Sequence, residues 1–188
     1  MDKSTELVGY ILHKSTQKLL DVTMAAKRKS SDDDGEATPA IPKWVDTLAR
    51  RQFTGNDDEA IGVWFVASKR VENSDLVTQQ NRLYLPTEFV KANLVGLLSL
   101  EERAMANLVG DMPKAAGREH GGLRVRVYAR CGFVSYLWLT RWDGSGGTVI
   151  KGSELKLFRS WSALKKGDKI DFWAFRSGGE LCFAIGRP

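Results

Sequence analysis

Hydrophobic positions change period along the chain, and the changes divide it into three stretches. Val8, Ile11, Leu12, Leu19 and Leu20 recur at helical spacing, which predicts a short amphipathic helix from Ser4 to about Ala26. The pattern then collapses: Lys27-Arg28-Lys29 meets Asp32-Asp33-Asp34 with almost nothing apolar between, a linker composition, so residues 1–40 are expected to be a flexible N-terminal segment. Past Pro39, Ile41, Trp44, Val45, Leu48 and Phe53 return at spacings near three and four. They predict a short helix within 41–60 that has Pro42 as an early residue and packs its Trp face on the domain C-terminal to it.

From Ile61 the signal is strand. Ile61 to Ser68 is rich in β-branched and aromatic residues, a polar stretch from Glu72 to Asn81 interrupts, and Arg82-Leu83-Tyr84-Leu85 resumes until Pro86, after which Thr87 opens a helix. Ser99-Leu100-Glu101-Glu102 has the spacing of a capping box and predicts a helix from about Leu100 to Val109, inside a long connection from Val95 to Gly122. Leu123, Val125, Val127 and Ala129 then alternate with Arg124, Arg126, Tyr128 and Arg130, a half-buried strand with three Arg on its wet face.

Val134 to Trp142 is a strand dense in aromatics. Asp143 to Gly147 reads as a hairpin turn and Thr148-Val149-Ile150 as the return strand. Ser153 is the expected N-cap of a helix through Trp161, and Lys166-Gly167-Asp168 turns the chain into a strand from Lys169 to Arg176. Ser177-Gly178-Gly179 makes a tight hairpin, and Leu181 to Ile185 is a closing strand. Seven short strands with helices between them predict a mainly β fold, a closed or half-closed barrel over residues 61–188.

Composition narrows the function classes. Of 188 residues 43% are hydrophobic and 10% aromatic, enough for a core, and no stretch reaches the length of apolar sequence that spans a bilayer or has the pattern of a signal peptide. The expectation is a soluble intracellular protein without a membrane partner. Two Cys, Cys131 and Cys182, and two His, His13 and His120, are too few and too scattered for a structural zinc site, so no metal or cofactor is expected and the two Cys read as small hydrophobes in strands. Charge is uneven: residues 112–188 carry fourteen basic and six acidic side chains, a balance of +8, against −1 for residues 1–40 and −2 for 41–111. A basic C-terminal part points to a polyanion partner or to a solubilising surface. No cluster of carboxylates beside a Lys suggests metal-dependent phosphodiester cleavage, and no catalytic residues are assigned.

The ordered landmarks resemble the plant B3 DNA-binding domain. Arg82-Leu83-Tyr84-Leu85-Pro86-Thr87-Glu88-Phe89-Val90 is similar to that family's strand-Pro-helix segment, and Trp138-Leu139-Thr140-Arg141-Trp142 to its aromatic central strand. Lys151-Gly152 and Leu164-Lys165-Lys166-Gly167-Asp168 are similar to the start of its second helix and to the turn before a Phe-bearing strand. Pro42-Lys43-Trp44-Val45, the insertion at 95–122 and the ending Phe175 to Ala184 resemble a divergent branch of the family. The resemblance implies a seven-stranded open pseudobarrel that grips the DNA major groove with two arms, in nuclear regulators of transcription that lack catalysis and metal. The arms would be about Ser68 to Arg82 and about Thr140 to Lys151.

Side-chain chemistry in these arms nominates the contacts. Ser68, Lys69, Arg70, Ser74, Gln79, Gln80, Asn81 and Arg82 offer cations and amides, and amides can bond adenine bidentately; Glu72 and Asp75 would repel phosphate, and typical members have more basic arms. Arg141, Trp142, Ser145, Thr148 and Lys151 bracket the second arm with cations, hydroxyls and a ring. Arg124, Arg126 and Arg130 make a cationic stripe, used on phosphate or simply solvated. Asp168 is expected to cap backbone N–H groups at its turn. Lys27-Arg28-Lys29 reads either as a nuclear-import signal or as a chance cluster. The leading expectation is a nuclear, sequence-specific binder of double-stranded DNA. The alternative is a B3-like module that serves protein interaction through the helices outside the barrel.

Overall fold

A strand whose residues are apolar on both sides needs cover on both sides, and this requirement organises the molecule. The computed structural model describes residues 38–53, 61–77, 79–109, 121–142 and 147–188. The expected helix at Ser4 to Ala26, the basic cluster at Lys27, both His and Ser145 lie outside the described residues.

Helix α1 (Lys43–Gln52) precedes strand β1 (Val63–Arg70) and the one-turn helix α2 (Asn73–Leu76). Strand β2 (Arg82–Leu85) runs into helix α3 (Thr87–Phe89), which continues as a π turn, Val90–Leu94, and a 3-10 turn, Val95–Leu97, before α4 (Leu100–Met105). The remainder is β3 (Leu123–Ala129), β4 (Val134–Arg141), β5 (Thr148–Lys151), α5 (Leu155–Ser162), β6 (Lys169–Ser177) and β7 (Glu180–Gly186). One sheet holds all seven strands in the order β1-β6-β7-β3-β4-β5-β2, and it curls nearly into a barrel that stays open between β1 and β2. Among the described strands only the β3–β7 pair is parallel. Residues Pro39–Pro188 form one unit, and no helix among the described residues is long and apolar enough to cross a membrane.

Alternation decides what goes inside. Leu83, Leu85, Val125, Val127, Leu137, Leu139, Ile150, Phe172 and Phe183 fill the barrel together with Val90 and Leu94 after α3 and Leu155 and Phe158 of α5. On the outer surface a second core lies under α1: Val45 and Ala49 meet Tyr128, Trp173, Phe175, Cys182 and Ala184. Strand β6 is therefore buried on both faces, which explains why Trp173 and Phe175 alternate with Phe172 and Ala174. The capping position of α1 belongs to Pro42, whose carbonyl accepts from Val45 and Asp46 N–H, and Asp46 pairs with Arg50 one turn on.

Several expectations change at this level. Strand β1 begins at Val63 rather than Ile61 and carries a bulge between Phe65 and Ala67. The Ser99 capping box forms, but α4 ends at Met105 because Asn107 takes a left-handed φ of 55°. Glu154, not Ser153, stands at the start of α5, and its carboxylate accepts the Tyr136 N–H at 2.7 Å. Cys182 is buried in β7, whereas Cys131 is exposed in the β3–β4 turn instead of in a strand. Asp168 does hold its turn, accepting from Lys165 N–H at 2.8 Å and from Arg187.

Candidate nucleic-acid interface

Registry places side chains of four strands side by side on the outer face that α1 leaves uncovered. Arg124 of β3 pairs with Trp138 of β4, Trp138 with Lys151 of β5, and Lys151 with Arg82 of β2. With strands about 4.8 Å apart this row is roughly 15 Å wide. Tyr84 lies on the same face one step along, opposite Val149. The large rings here are exposed by 36–45%: Tyr84, Tyr136, Trp138 and Trp142.

Cations stack on these rings. The Arg82 guanidinium lies 4.7 Å from the Trp142 ring centre and that of Arg124 4.9 Å from Tyr136. A guanidinium held over a ring by cation–π attraction keeps its fork of N–H donors, the groups that bond phosphate or a guanine edge. The Arg82–Trp142 stack also ties the end of the first arm to the start of the second. Tyr84 closes over the return of the second arm so tightly that a Cβ on Gly147 would lie 2.4 Å from its ring, so any larger residue there displaces the Tyr84 side chain.

The first arm is braced from within. Asp75 of α2 is 2% exposed; both its oxygens accept from Lys69 Nζ, at 2.7 and 2.8 Å, and they also take the backbone N–H of Glu72 and Tyr84. Expected to repel phosphate, Asp75 is instead the buried anchor of the arm, and Lys69 has its charge inside with it. Arg159 of α5 donates to the carbonyls of Val77 and Arg82 at 3.4 and 3.2 Å. Burial pulls the Arg159 guanidinium below its ordinary pKa, with the Asp75 charge opposing. Ser68 donates to Asp171 and Arg70 to the Gly167 carbonyl. Ser74, Gln79 and Gln80 are exposed at the tip, Asn81 is half-buried with φ 38°, and Arg82 is half-buried at the stack.

In the second arm Arg141 and Trp142 are exposed, Lys151 is half-buried in the row just described, and Thr148 is 1% exposed beneath the surface. Trp142 N–H closes the hairpin neck on the Gly147 carbonyl at 2.7 Å. Of the Arg stripe, Arg124 joins this face, Arg126 is held by Glu180 at 3.0 Å and by the Ser177 carbonyl, and Arg130 lies beyond β3 next to α1. Tyr84, Tyr136 and Trp138 are not among the contacts nominated from the sequence. Their signal was the alternation with Leu83, Leu137 and Leu139, which turns the rings outward when the leucines turn in. Among the described residues no three His, Cys, Asp or Glu side chains gather as a metal site.

Comparison with known proteins finds similar sequences and structures. B3 domain-containing protein At1g05920 of Arabidopsis thaliana is 26% identical over 156 residues, which cover 80% of this chain and 46% of the relative. The chain thus spans about half the length of that curated relative. Two solved structures are similar: the Arabidopsis FUS3–DNA complex, 18% identical with a TM-score of 0.41 over 65% of this chain and 97% of that one, and the Arabidopsis thaliana transcription factor LEC2–DNA complex, 17% identical with a TM-score of 0.44 over 69% and 98%. The family described as B3 domain-containing protein At2g31720-like matches residues 39–188, the whole of the barrel with its α1 cover, and the chain belongs to that family.

Proposed function

We propose that this domain binds double-stranded DNA sequence-specifically and acts in the nucleus as a regulator of transcription. The outer face of β2, β4 and β5 is the floor of the site, and the two arms enter the major groove on either side. The observation that carries this reading is the row of Arg124, Trp138, Lys151 and Arg82, with the Arg82 guanidinium over the Trp142 ring. It gathers cations and π-faces from four strands on one exposed surface about as wide as the ~12 Å major groove. Arg141 and Arg82 supply fork-shaped donors for guanine or phosphate, and Gln79 and Gln80 at the tip of the first arm supply amides suited to adenine.

The test is selection of the full chain against a random duplex library, followed by affinity of the winning site from about 50 to 200 mM salt. An enriched motif is the expected result, and Arg141→Ala with Lys151→Ala lowers affinity and flattens the log–log salt slope by about 1.8, two phosphates' worth. Equal binding by a folded double variant removes the second arm from the mechanism. A second reading, a module for protein interaction, is favoured by the internal use of Lys69 and Arg70 in the first arm; it predicts no enriched duplex at all.

A further inference from the structure

A second surface carries its own chemistry. Helix α1 and the β3–β4 turn enclose an open groove of about 580 Å³, within the ~300–1,000 Å³ range of ligand sites. Trp44 and Leu48 give it apolar walls, and Lys43, Arg51 and Arg130 lie along it. No acidic side chain is among the lining residues, which include Pro42, Thr47 and Pro188, and among the described residues none of these three cations forms an ion pair; Asp46, the acidic residue of α1, is engaged with Arg50. Trp44 is fixed in place, because its ring packs on Gly186 so closely that a Cβ there would lie 3.2 Å away. The groove is also separate from the second arm. The β3–β4 turn and the β4–β5 hairpin are at opposite ends of β4, whose eight residues extend about 26 Å.

We propose that this groove docks an acidic segment of a partner protein that carries apolar anchor side chains. The anchors lie against Trp44 and Leu48, and the carboxylates face Lys43, Arg51 and Arg130. Three like charges around one apolar floor repel one another until an anion arrives, so the complementary occupant is negative and partly apolar. Nucleic acid fits less well, since a phosphate backbone offers nothing to bury against the two side chains.

The probe is a labelled twelve-residue peptide of Asp and Glu with Leu and Trp interspersed, titrated into the full chain by fluorescence anisotropy. A matched peptide with Ser replacing Leu and Trp tests the apolar requirement. Expected are micromolar binding, at least fivefold weaker binding of the Ser peptide, and protection of the exposed Cys131 thiol at the groove from a thiol reagent. Arg51→Glu with Arg130→Glu weakens binding more than tenfold with the melting temperature and duplex binding unchanged; Lys43→Glu, alone, serves if the double variant is unstable. The proposal is overturned by no binding at millimolar peptide, by equal binding of the Ser peptide, or by displacement of the peptide by a short duplex through the same three residues. Dimerisation of the chain that is lost in the double variant also overturns it, since the groove would then hold a second copy.

Discussion

Replacing Asp75 with Ala puts the bracing of the first arm to a quantitative test. In the folded chain the side chain of Lys69 is 9% exposed and that of Asp75 2%, and the carboxylate takes four hydrogen bonds. Asp75→Ala leaves an ammonium buried without a counter-charge and removes the acceptor of two backbone N–H groups. Deleting one partner of a buried pair costs about 3–5 kcal/mol, which for a chain of this size lowers the melting temperature by roughly 6–20 °C. Lys69→Met keeps the apolar stem and leaves Asp75 with its backbone donors, so it costs less, about 1–3 kcal/mol. In the double variant the stranded charge is gone, and its loss falls short of the sum of the singles by at least about 1 kcal/mol. Urea unfolding of the four proteins, followed by Trp fluorescence, measures all three quantities. A loss below about 1 kcal/mol for Asp75→Ala, or strict additivity, would refute the claim that the ion pair holds the arm.

Other expectations rest on single contacts. The Arg176 guanidinium, hydrogen-bonded to Glu102 at 2.7 Å, holds that carboxyl below its ordinary value of 4.5, with the Ser99 N–H assisting and burial opposing. A depressed carboxyl stabilises the fold above 4.5 and loses that contribution as pH falls through the lowered value, so Glu102→Gln flattens the acid limb of a stability–pH curve; an unchanged limb is the contrary result. Gly122 has φ +122°, and a Cβ there would lie 2.8 Å from the Leu139 carbonyl oxygen, so Gly122→Ala costs about 1–3 kcal/mol in urea unfolding, whereas Gly96→Ala, which meets nothing, stays within about 0.5. Burial pushes the Cys182 thiol up to about 11 while Cys131 is exposed, so a thiol reagent at about pH 8 titrates one group in the native chain and two after unfolding.

Local chemistry was legible in the sequence wherever it was self-contained. Arg82–Leu85 ends where Pro86 ends it, Ser99 and Glu102 exchange the two bonds of their capping box, and Asp168 holds its own turn. What depended on a distant partner was not legible. Asp75 reads as a loop acid until Lys69 and the Tyr84 N–H close around it, and Ser153 reads as a cap until the Tyr136 N–H, eighteen residues away, claims Glu154. Tyr128 reads as a wet-face residue because nothing in its own strand announces that α1 will cover it. The candidate site divides in the same way. The cations of the second arm follow from the hairpin alone, but the row from Arg124 to Arg82 exists only through three registers of strand pairing.

The order of strands in the sheet also governs the order in which the chain can complete itself. Strand β1 has one neighbour among the described strands, β6, and their registered residues Arg70 and Lys169 are about a hundred residues apart. At roughly 5–20 residues per second, a ribosome leaves β1 without its partner for about 5–20 s. Of the seven described strands β7 is the last to be made, and it joins the β1–β6 side to the β3–β4–β5–β2 side. A chain stopped before Glu180 therefore has two partial sheets with no strand between them, and β7 is the strand that turns those parts into a barrel.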